Sequence, residues 1–214
     1  IMGELILNVK TDENVVALTF DDGPNPPYAD EILDLLKRYN ARATFFVEGR
    51  KAFQFPARIK RAYLEGNEIG NHSWNHKELV YQSPGYVRSE IEAPDNLIRF
   101  FGYEGPIHFR APYGAKFIIL PYVLSRMNKK NILWSLKFND WRRPPIEKMF
   151  KIFQRKIANG SIVLMHDGGG DRSNTVKLLK LILANYSNRV YMKGIREPIN
   201  MSRRYFAKIK EQLG

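Results

Sequence analysis

Short apolar runs alternate with segments of helical periodicity along most of this chain. Between the runs, apolar residues recur every three or four positions, which is typical of amphipathic helices, over residues 28–39, 56–65, 84–101, 146–158 and 174–186. The runs themselves are rich in β-branched and aromatic residues and have the length of strands, at residues 15–20, 43–47, 68–71, 107–110, 132–136, 161–166 and 189–192. Strands that alternate with helices predict a parallel sheet, and Asn174 is a residue type that favours a helix N-cap.

The spacing of these elements also predicts the architecture. A chain of 214 residues suits one α/β domain or two small ones. No linker, repeat or low-complexity tract divides it, so we predict a single domain over residues 1–214, built as a distorted or incomplete (β/α) barrel with about seven parallel strands. Residues 193–214 read as a loop and a basic terminal helix, an extension to which the pattern assigns no role.

Composition and charge narrow the classes of partner. The net charge is +12, from 34 Lys and Arg against 22 Asp and Glu, which favours anionic partners such as nucleic acid, membranes or a cell wall. The basic residues are scattered and no nucleic-acid motif is present, so we predict no nucleic-acid recognition. No apolar stretch reaches the roughly 18–20 residues of a membrane-spanning helix. The absence of cysteine excludes disulfides, thiolate metal sites and cysteine nucleophiles, and it leaves the compartment open.

Two adjacent carboxylates follow the first long apolar run. Asp21 and Asp22 come directly after residues 15–20, and Gly23-Pro24 ends the run. Neighbouring acids at the end of a buried strand repel each other and lose solvation, which is tolerated where a cation lies between them or a base is needed. The alternative interpretation is a pair of solvated acids that begin a loop.

A histidine pair follows the third predicted strand. His72 and His76 are four residues apart, so we expect them on one side of a single helical turn, where both imidazoles can reach one ion. The Asp21-Asp22 pair offers a carboxylate to the same ion. Two histidines and one carboxylate, with the remaining positions open to water, are the composition of a catalytic zinc-type site.

Polar side chains also follow the next three predicted strands. Arg110 is either a surface residue of a turn or the partner of a carboxylate. His166 is either a hydrogen-bonded core residue or a proton donor with a pKa raised by a nearby acid. Trp141, which follows Asp140, is either a core residue or a platform against which a ligand packs. All of these groups lie at the carboxyl ends of predicted parallel strands, where α/β barrels assemble their active sites.

Five motifs, in this order, resemble those of the polysaccharide deacetylases of the NodB-homology type, carbohydrate esterase family four. They are Thr19–Pro24, His72–His76, Arg110–Tyr113, Asp140-Trp141 and Leu164–His166, and the resemblance covers roughly residues 14–185. It implies a distorted (β/α) barrel and the removal of N-acetyl groups from N-acetylglucosamine-containing glycans, peptidoglycan or chitin-like oligomers, by a metal-activated water. Acetate is the implied product. An O-acetyl esterase of acetylated xylan and a non-catalytic module that binds cell-wall glycans remain the alternatives.

The resemblance further implies which residues carry the metal and the base. Asp22, His72 and His76 would hold a divalent metal ion, most often Zn²⁺, with Co²⁺, Mn²⁺ or Ni²⁺ as alternatives. Asp21 would be the general base, paired with Arg110. Because such substrates lie outside the cytoplasm, we predict an extracellular or cell-envelope protein that acts as a monomer on an anionic cell wall. The lack of cysteine fits an exported bacterial protein without disulfides, so we predict a bacterial source.

The remaining implied roles concern the general acid and the acetyl pocket. His166 would be the general acid, tuned by Asp140, and the acetyl methyl group would lie against Trp141 and Leu164. The backbone N–H of Tyr113 would help to stabilise the oxyanion.

One position departs from the family pattern. The fourth motif commonly has a second acid three residues before Asp140, and Lys137 takes that place here. Asp140, the acid that the resemblance pairs with His166, is present. The departure therefore changes the local charge of the pocket and leaves the proposed general acid in place. The residues from Tyr186 onward also match the family poorly.

Overall fold

A computed structural model describes residues 5–115, 118–187 and 191–195 of this protein. Its strands are β1 (Leu5–Ile6), β2 (Val15–Gly23), β3 (Thr44–Val47), β4 (Glu68–Asn71), β5 (Asn131–Ile132), β6 (Leu136–Lys137), β7 (Ile162–His166) and β8 (Tyr191–Lys193). Its helices are α1 (Tyr28–Arg38), α2 (Gly49–Gln54), α3 (Pro56–Leu64), α4 (Pro84–Phe100), α5 (Ile119–Arg126), α6 (Ile146–Lys156) and α7 (Ser173–Tyr186). No helix in these ranges is both long enough and apolar enough to cross a membrane.

The strands pair in parallel around β2. The order is β4-β3-β2-β7-β6, with β8 also paired to β2, while β1 pairs with β5. Single bridges from Phe109 to Asn71 and to Asn131 connect β4 to β5. The predicted α/β class and the incomplete parallel barrel are therefore confirmed.

Side-chain alternation along β2 decides what faces the interior of the barrel. Leu18 and Phe20 are fully buried in the cluster that packs the sheet against its helices. Because successive side chains of a strand point to opposite faces, Thr19 and Asp21 face the interior instead. The apolar periodicity of the strand thus places an acid inside the barrel, at the carboxyl edge of the sheet.

Several boundaries differ from those predicted. Of the predicted strand 107–110 only Phe109 bridges to neighbouring strands, and the predicted strand 132–136 is replaced by the two short strands β5 and β6. The short elements β1, α2 and α5 were not predicted. Two strand residues or six helix residues are too few to show periodicity, and Pro121 interrupts the apolar pattern of α5.

The start of the last predicted helix differs by one residue, while its end at Tyr186 agrees with the prediction. The N-cap of α7 is Arg172, so the prediction for Asn174 was wrong. The Asn174 amide instead donates to the carbonyl oxygen of Pro144 at 3.2 Å, which connects the start of α7 to the loop before α6. Residues 196–214 of the predicted basic extension lie outside the described residues, while Lys193 belongs to β8.

Candidate active site

A bulge at the end of β2 brings the two adjacent aspartates to the same side of the sheet. The strand continues through Asp21 and Asp22 to Gly23, and its register with β3 shifts between Asp21 and Gly23. Asp22 has a φ of 70°. In a regular strand the two neighbours would point to opposite faces, and a bulge re-aims one of them. Both carboxylates consequently approach His72 Nε2, at 3.8 Å for Asp21 and 3.4 Å for Asp22.

The two histidines reach Asp22 from a loop rather than from a helix. Residues 72–76 are not helical, and Ser73 and His76 have φ values of 66° and 54°, so the predicted helical turn was wrong. The left-handed residues fold the loop back on itself, and His76 Nε2 lies 3.0 Å from Asp22 Oδ1. The ligand atoms of Asp22, His72 and His76 all lie within 4.8 Å of one another.

Neighbouring groups orient this loop. His72 Nδ1 lies 2.8 Å from the carbonyl oxygen of Arg110, to which it can donate, and this contact directs Nε2 toward Asp22. The buried Glu90 of α4 accepts from the backbone N–H of Asn75 at 2.9 Å and from its side-chain amide at 2.6 Å. Sequence reasoning did not identify Glu90. An acid within the apolar stripe of a helix nevertheless indicates a buried carboxylate that accepts hydrogen bonds from a neighbouring segment.

The chemistry of this cluster fits a divalent metal ion. Asp22 Oδ1 is buried and accepts no hydrogen bond from the described residues, although the two imidazoles lie close to it. Burial opposes ionisation of Asp22, but the His72 and His76 imidazoles outweigh it and lower the pKa of this carboxyl. Two imidazole nitrogens and one carboxylate oxygen match the donor set of an open catalytic site.

Asp21 is fixed from behind by an arginine with no solvent exposure. Arg110 Nη1 donates to Asp21 Oδ1 at 2.6 Å and to Thr19 Oγ1 at 2.8 Å. Its other nitrogens donate to the carbonyl oxygens of Ile132 and Leu133, both at 2.9 Å. Each nitrogen of this guanidinium therefore donates at least one hydrogen bond. The guanidinium holds one oxygen of Asp21, while the other lies 3.8 Å from His72 Nε2.

His166, at the end of β7, is held by the buried carboxylate of Asp140. Its Nδ1 lies 2.8 Å from Asp140 Oδ1, and its backbone N–H donates to Oδ2, which also accepts from the Thr175 hydroxyl. Burial lowers the pKa of His166, but Asp140, followed by the charges of Asp21 and Asp22, outweighs it, so the pKa is raised. The imidazole therefore retains its second proton to a higher pH than a free histidine.

Three further side chains from the sequence prediction lie around these groups. The Trp141 ring, 41% exposed, meets the His166 ring edge-on at 5.4 Å. The Tyr113 ring, 71% exposed, meets the His76 ring edge-on at 4.9 Å. Leu164 is buried on β7, in register with Thr19, and so belongs to the inner face of the sheet. One aromatic ring thus contacts the proposed general acid His166, and another contacts the proposed metal ligand His76.

Two charged side chains next to the aspartates, Lys51 and Asp167, were not predicted. Lys51 Nζ donates to the carbonyl oxygen of Asp22 at 2.8 Å and pairs with Glu48 at 3.0 Å. Asp167 is 2% exposed, and burial, together with the charge of Asp22, raises its pKa to about 7. A Cβ on Gly23 would overlap the Asp167 carboxyl group, which explains the need for glycine there.

Comparison with known proteins identifies the family. The family model described as polysaccharide deacetylase matches residues 8–132. A peptidoglycan-N-acetylglucosamine deacetylase of Bacillus cereus is 35% identical over 191 residues, which cover 88% of this chain and 89% of that protein. A chitooligosaccharide deacetylase of Azorhizobium caulinodans is 32% identical, over 75% of this chain and 77% of its own.

A solved structure agrees with these matches. The Bc1960 peptidoglycan N-acetylglucosamine deacetylase superposes with a TM-score of 0.84 at 28% identity, and the match covers 89% of this chain and 90% of that one. The similarity therefore extends over most of both chains. Since the family model also spans more than half of the sequence, this chain belongs to the polysaccharide deacetylase family and is a hydrolase of that family.

Proposed function

We propose that this protein removes N-acetyl groups from N-acetylglucosamine-containing glycans, either peptidoglycan or chitin-like oligomers, and releases acetate. The observation that carries the proposal is the position of Asp21. Its carboxylate is held by Arg110 at 2.6 Å and lies 3.8 Å from His72 Nε2, so a base stands directly beside a cluster suited to a metal ion. The names of the relatives from Bacillus cereus and Azorhizobium caulinodans support the substrate class.

Asp22, His72 and His76 are the proposed ligands of the ion. Their donor set favours Zn²⁺, and Co²⁺, Mn²⁺ or Ni²⁺ are alternatives. When bound, a divalent ion of this kind acidifies a water molecule and polarises an acyl oxygen. In our proposal Asp21 accepts the proton of the attacking water at Oδ2, because Oδ1 is occupied by Arg110.

His166 is the proposed general acid. The sugar amine is a poor leaving group unless its nitrogen is protonated. The proton would come from His166 Nε2, since Nδ1 lies 2.8 Å from Asp140 Oδ1. The raised pKa of His166 favours retention of that proton relative to a free histidine. The backbone N–H of Tyr113 is proposed to bind the oxyanion, and Trp141 and Leu164 to enclose the acetyl methyl group.

The role of Asp140 leads to a prediction about pH. In Asp140→Asn the charge that raises the pKa of His166 is lost, so the imidazole loses its proton at lower pH. We expect the basic limb of kcat/KM against pH to move to lower pH, and kcat/KM at neutral pH to fall by up to about 10²-fold. Thr175→Val removes only a neutral hydrogen bond to the same carboxylate and should shift the limb much less. An unshifted limb in Asp140→Asn would contradict the assignment.

The test of the proposed function is acetate release, measured with and without a chelator, from peptidoglycan, chitooligosaccharides and acetylxylan. We expect acetate from an N-acetylated glycan, its loss on chelation and its return when Zn²⁺ is added. Acetate from acetylxylan alone would instead identify an O-acetyl esterase. Glycan binding that survives chelation, with no acetate from any substrate, would identify a binding module.

We also propose the setting in which this activity operates. The net charge of +12 suits an anionic cell wall, and the relative from Bacillus cereus is named for a wall polymer. We therefore propose an extracellular or cell-envelope location for a single catalytic domain that acts as a monomer.

A further inference from the structure

Lys137 lies on the inner face of the barrel, at the same edge as the candidate catalytic groups. It is the last residue of β6 and pairs with Leu164 of β7, which in turn pairs with Thr19 of β2. Paired residues of neighbouring strands share a face of the sheet. Because Thr19 contacts Arg110 inside the barrel, the Lys137 side chain belongs to that interior face.

One aromatic ring lies near both this lysine and Arg110 of the candidate site. Lys137 Nζ lies 6.0 Å from the centroid of the Trp134 ring, and Arg110 Cζ lies 5.8 Å from the same centroid. A Cβ added to Gly114 would lie 3.0 Å from the ring, so Trp134 also contacts the loop that carries Tyr113. The Lys137 ammonium therefore lies near the same ring that Arg110 and this loop approach.

Among the described residues, the charge of Lys137 is near an aromatic ring and has no acidic partner. Three other cations near the strand ends have carboxylate partners: Arg110 pairs with Asp21, Lys51 with Glu48, and Arg143 with Asp171. Lys137 is exposed, and in the part of the chain that the structure describes its ammonium has no carboxylate partner. It is available to an anionic group on a substrate.

We propose that Lys137 determines specificity by favouring glycans with a carboxylate near the acetamide that is cleaved. The preference rests on the proposed deacetylase activity and adds a substrate class to it. The carboxylate can belong to the sugar ring, as an ether-linked acid, or to a peptide attached to the glycan. In either case the ammonium attracts it while the neighbouring inner face, with Leu164, receives the acetyl group.

The test compares kcat/KM for three substrates. The first is a neutral chitooligosaccharide. The second is a peptide-free peptidoglycan oligomer with free lactyl carboxylates. The third is the same oligomer with attached peptides, in which the lactyl group is amidated and the carboxylates lie on the peptides. We expect Lys137→Met to lower the ratio of anionic to neutral kcat/KM by about fivefold at low salt. In the wild type the ratio should fall toward its Lys137→Met value in about 1 M salt, where charges are screened beyond about 3 Å.

Two variants serve as controls. Lys137→Arg keeps the charge and should keep most of the preference, while Lys180→Met removes an exposed lysine from the outer surface of α7 and should leave the ratio unchanged. A drop for only one anionic substrate supports the proposal and shows which carboxylate is recognised. If acetate is released and the ratio in Lys137→Met equals that of the wild type, the specificity role is wrong and the proposed function stands. If no substrate yields acetate, both fail.

Discussion

Asp21→Asn is expected to lower kcat for acetate release by about 10²–10⁴-fold, the usual contribution of a general base. The asparagine side chain cannot take up a proton from water, yet its carbonyl oxygen can still accept from Arg110, which donates to Asp21 Oδ1 at 2.6 Å in the native protein. Arg110 also keeps its bonds to Thr19 and to two backbone carbonyl oxygens, so the inner face should remain assembled. The measurement is acetate release at saturating glycan.

Metal binding by the same variant separates loss of the base from loss of the fold. Removing a charge that pairs with a fully buried arginine can be strongly destabilising, so Zn²⁺ affinity and the thermal unfolding midpoint should be measured beside activity. We expect the ion to bind to Asp21→Asn. Asp34→Asn is a matched control, because Asp34 is 66% exposed on α1 and should leave turnover intact. Native turnover in a folded, metal-loaded Asp21→Asn would show that Asp21 is not the base.

His76→Ala is expected to remove both metal affinity and activity. His76 Nε2 lies 3.0 Å from Asp22 Oδ1 and within 4.8 Å of the other proposed ligand atoms. Loss of an outer-shell partner usually costs 10–100-fold in affinity, so loss of a direct ligand should cost more than about 100-fold. Calorimetric titration of chelator-treated protein with Zn²⁺ measures this directly, and acetate release should fall in parallel.

A second histidine variant controls for a general effect of losing an imidazole. His108 is not part of the described metal-ligand cluster, so His108→Ala should bind Zn²⁺ with native affinity. Chelated wild-type protein should regain activity on addition of the ion, whereas His76→Ala should not at the same concentration. Equal affinity in His76→Ala and the wild type would exclude His76 as a ligand.

The sequence was most informative where the chemistry is local. The apolar run that ends in Asp21-Asp22 predicted a buried strand, and the alternation of strands with helices predicted the parallel barrel that β2, β3, β4 and β7 form. It was less informative where elements are short. Phe109 supplies only bridges between strands, and no periodicity distinguishes such a residue from a strand of four.

The geometry of the candidate site illustrates the same limit. The four-residue spacing of His72 and His76 suggested a helical turn, but positive φ values at Ser73 and His76 form a loop instead. Likewise the bulge at Asp22 is what aims both aspartates inward, and its register shift depends on how β2 pairs with β3. Pairing between segments that are distant in the chain leaves no trace in local spacing.

The amino-acid sequence alone therefore determined the kinds of groups present, their order along the chain and the family resemblance, because strand length, residue type and motif order are local properties. Tertiary packing alone decided which groups touch: Arg110 against Asp21, 89 residues apart, Asp140 against His166, and Glu90 of α4 against the histidine loop at Asn75. These contacts arise because parallel strands bring their carboxyl ends to one edge, where burial makes every unpaired charge costly and so selects its partner.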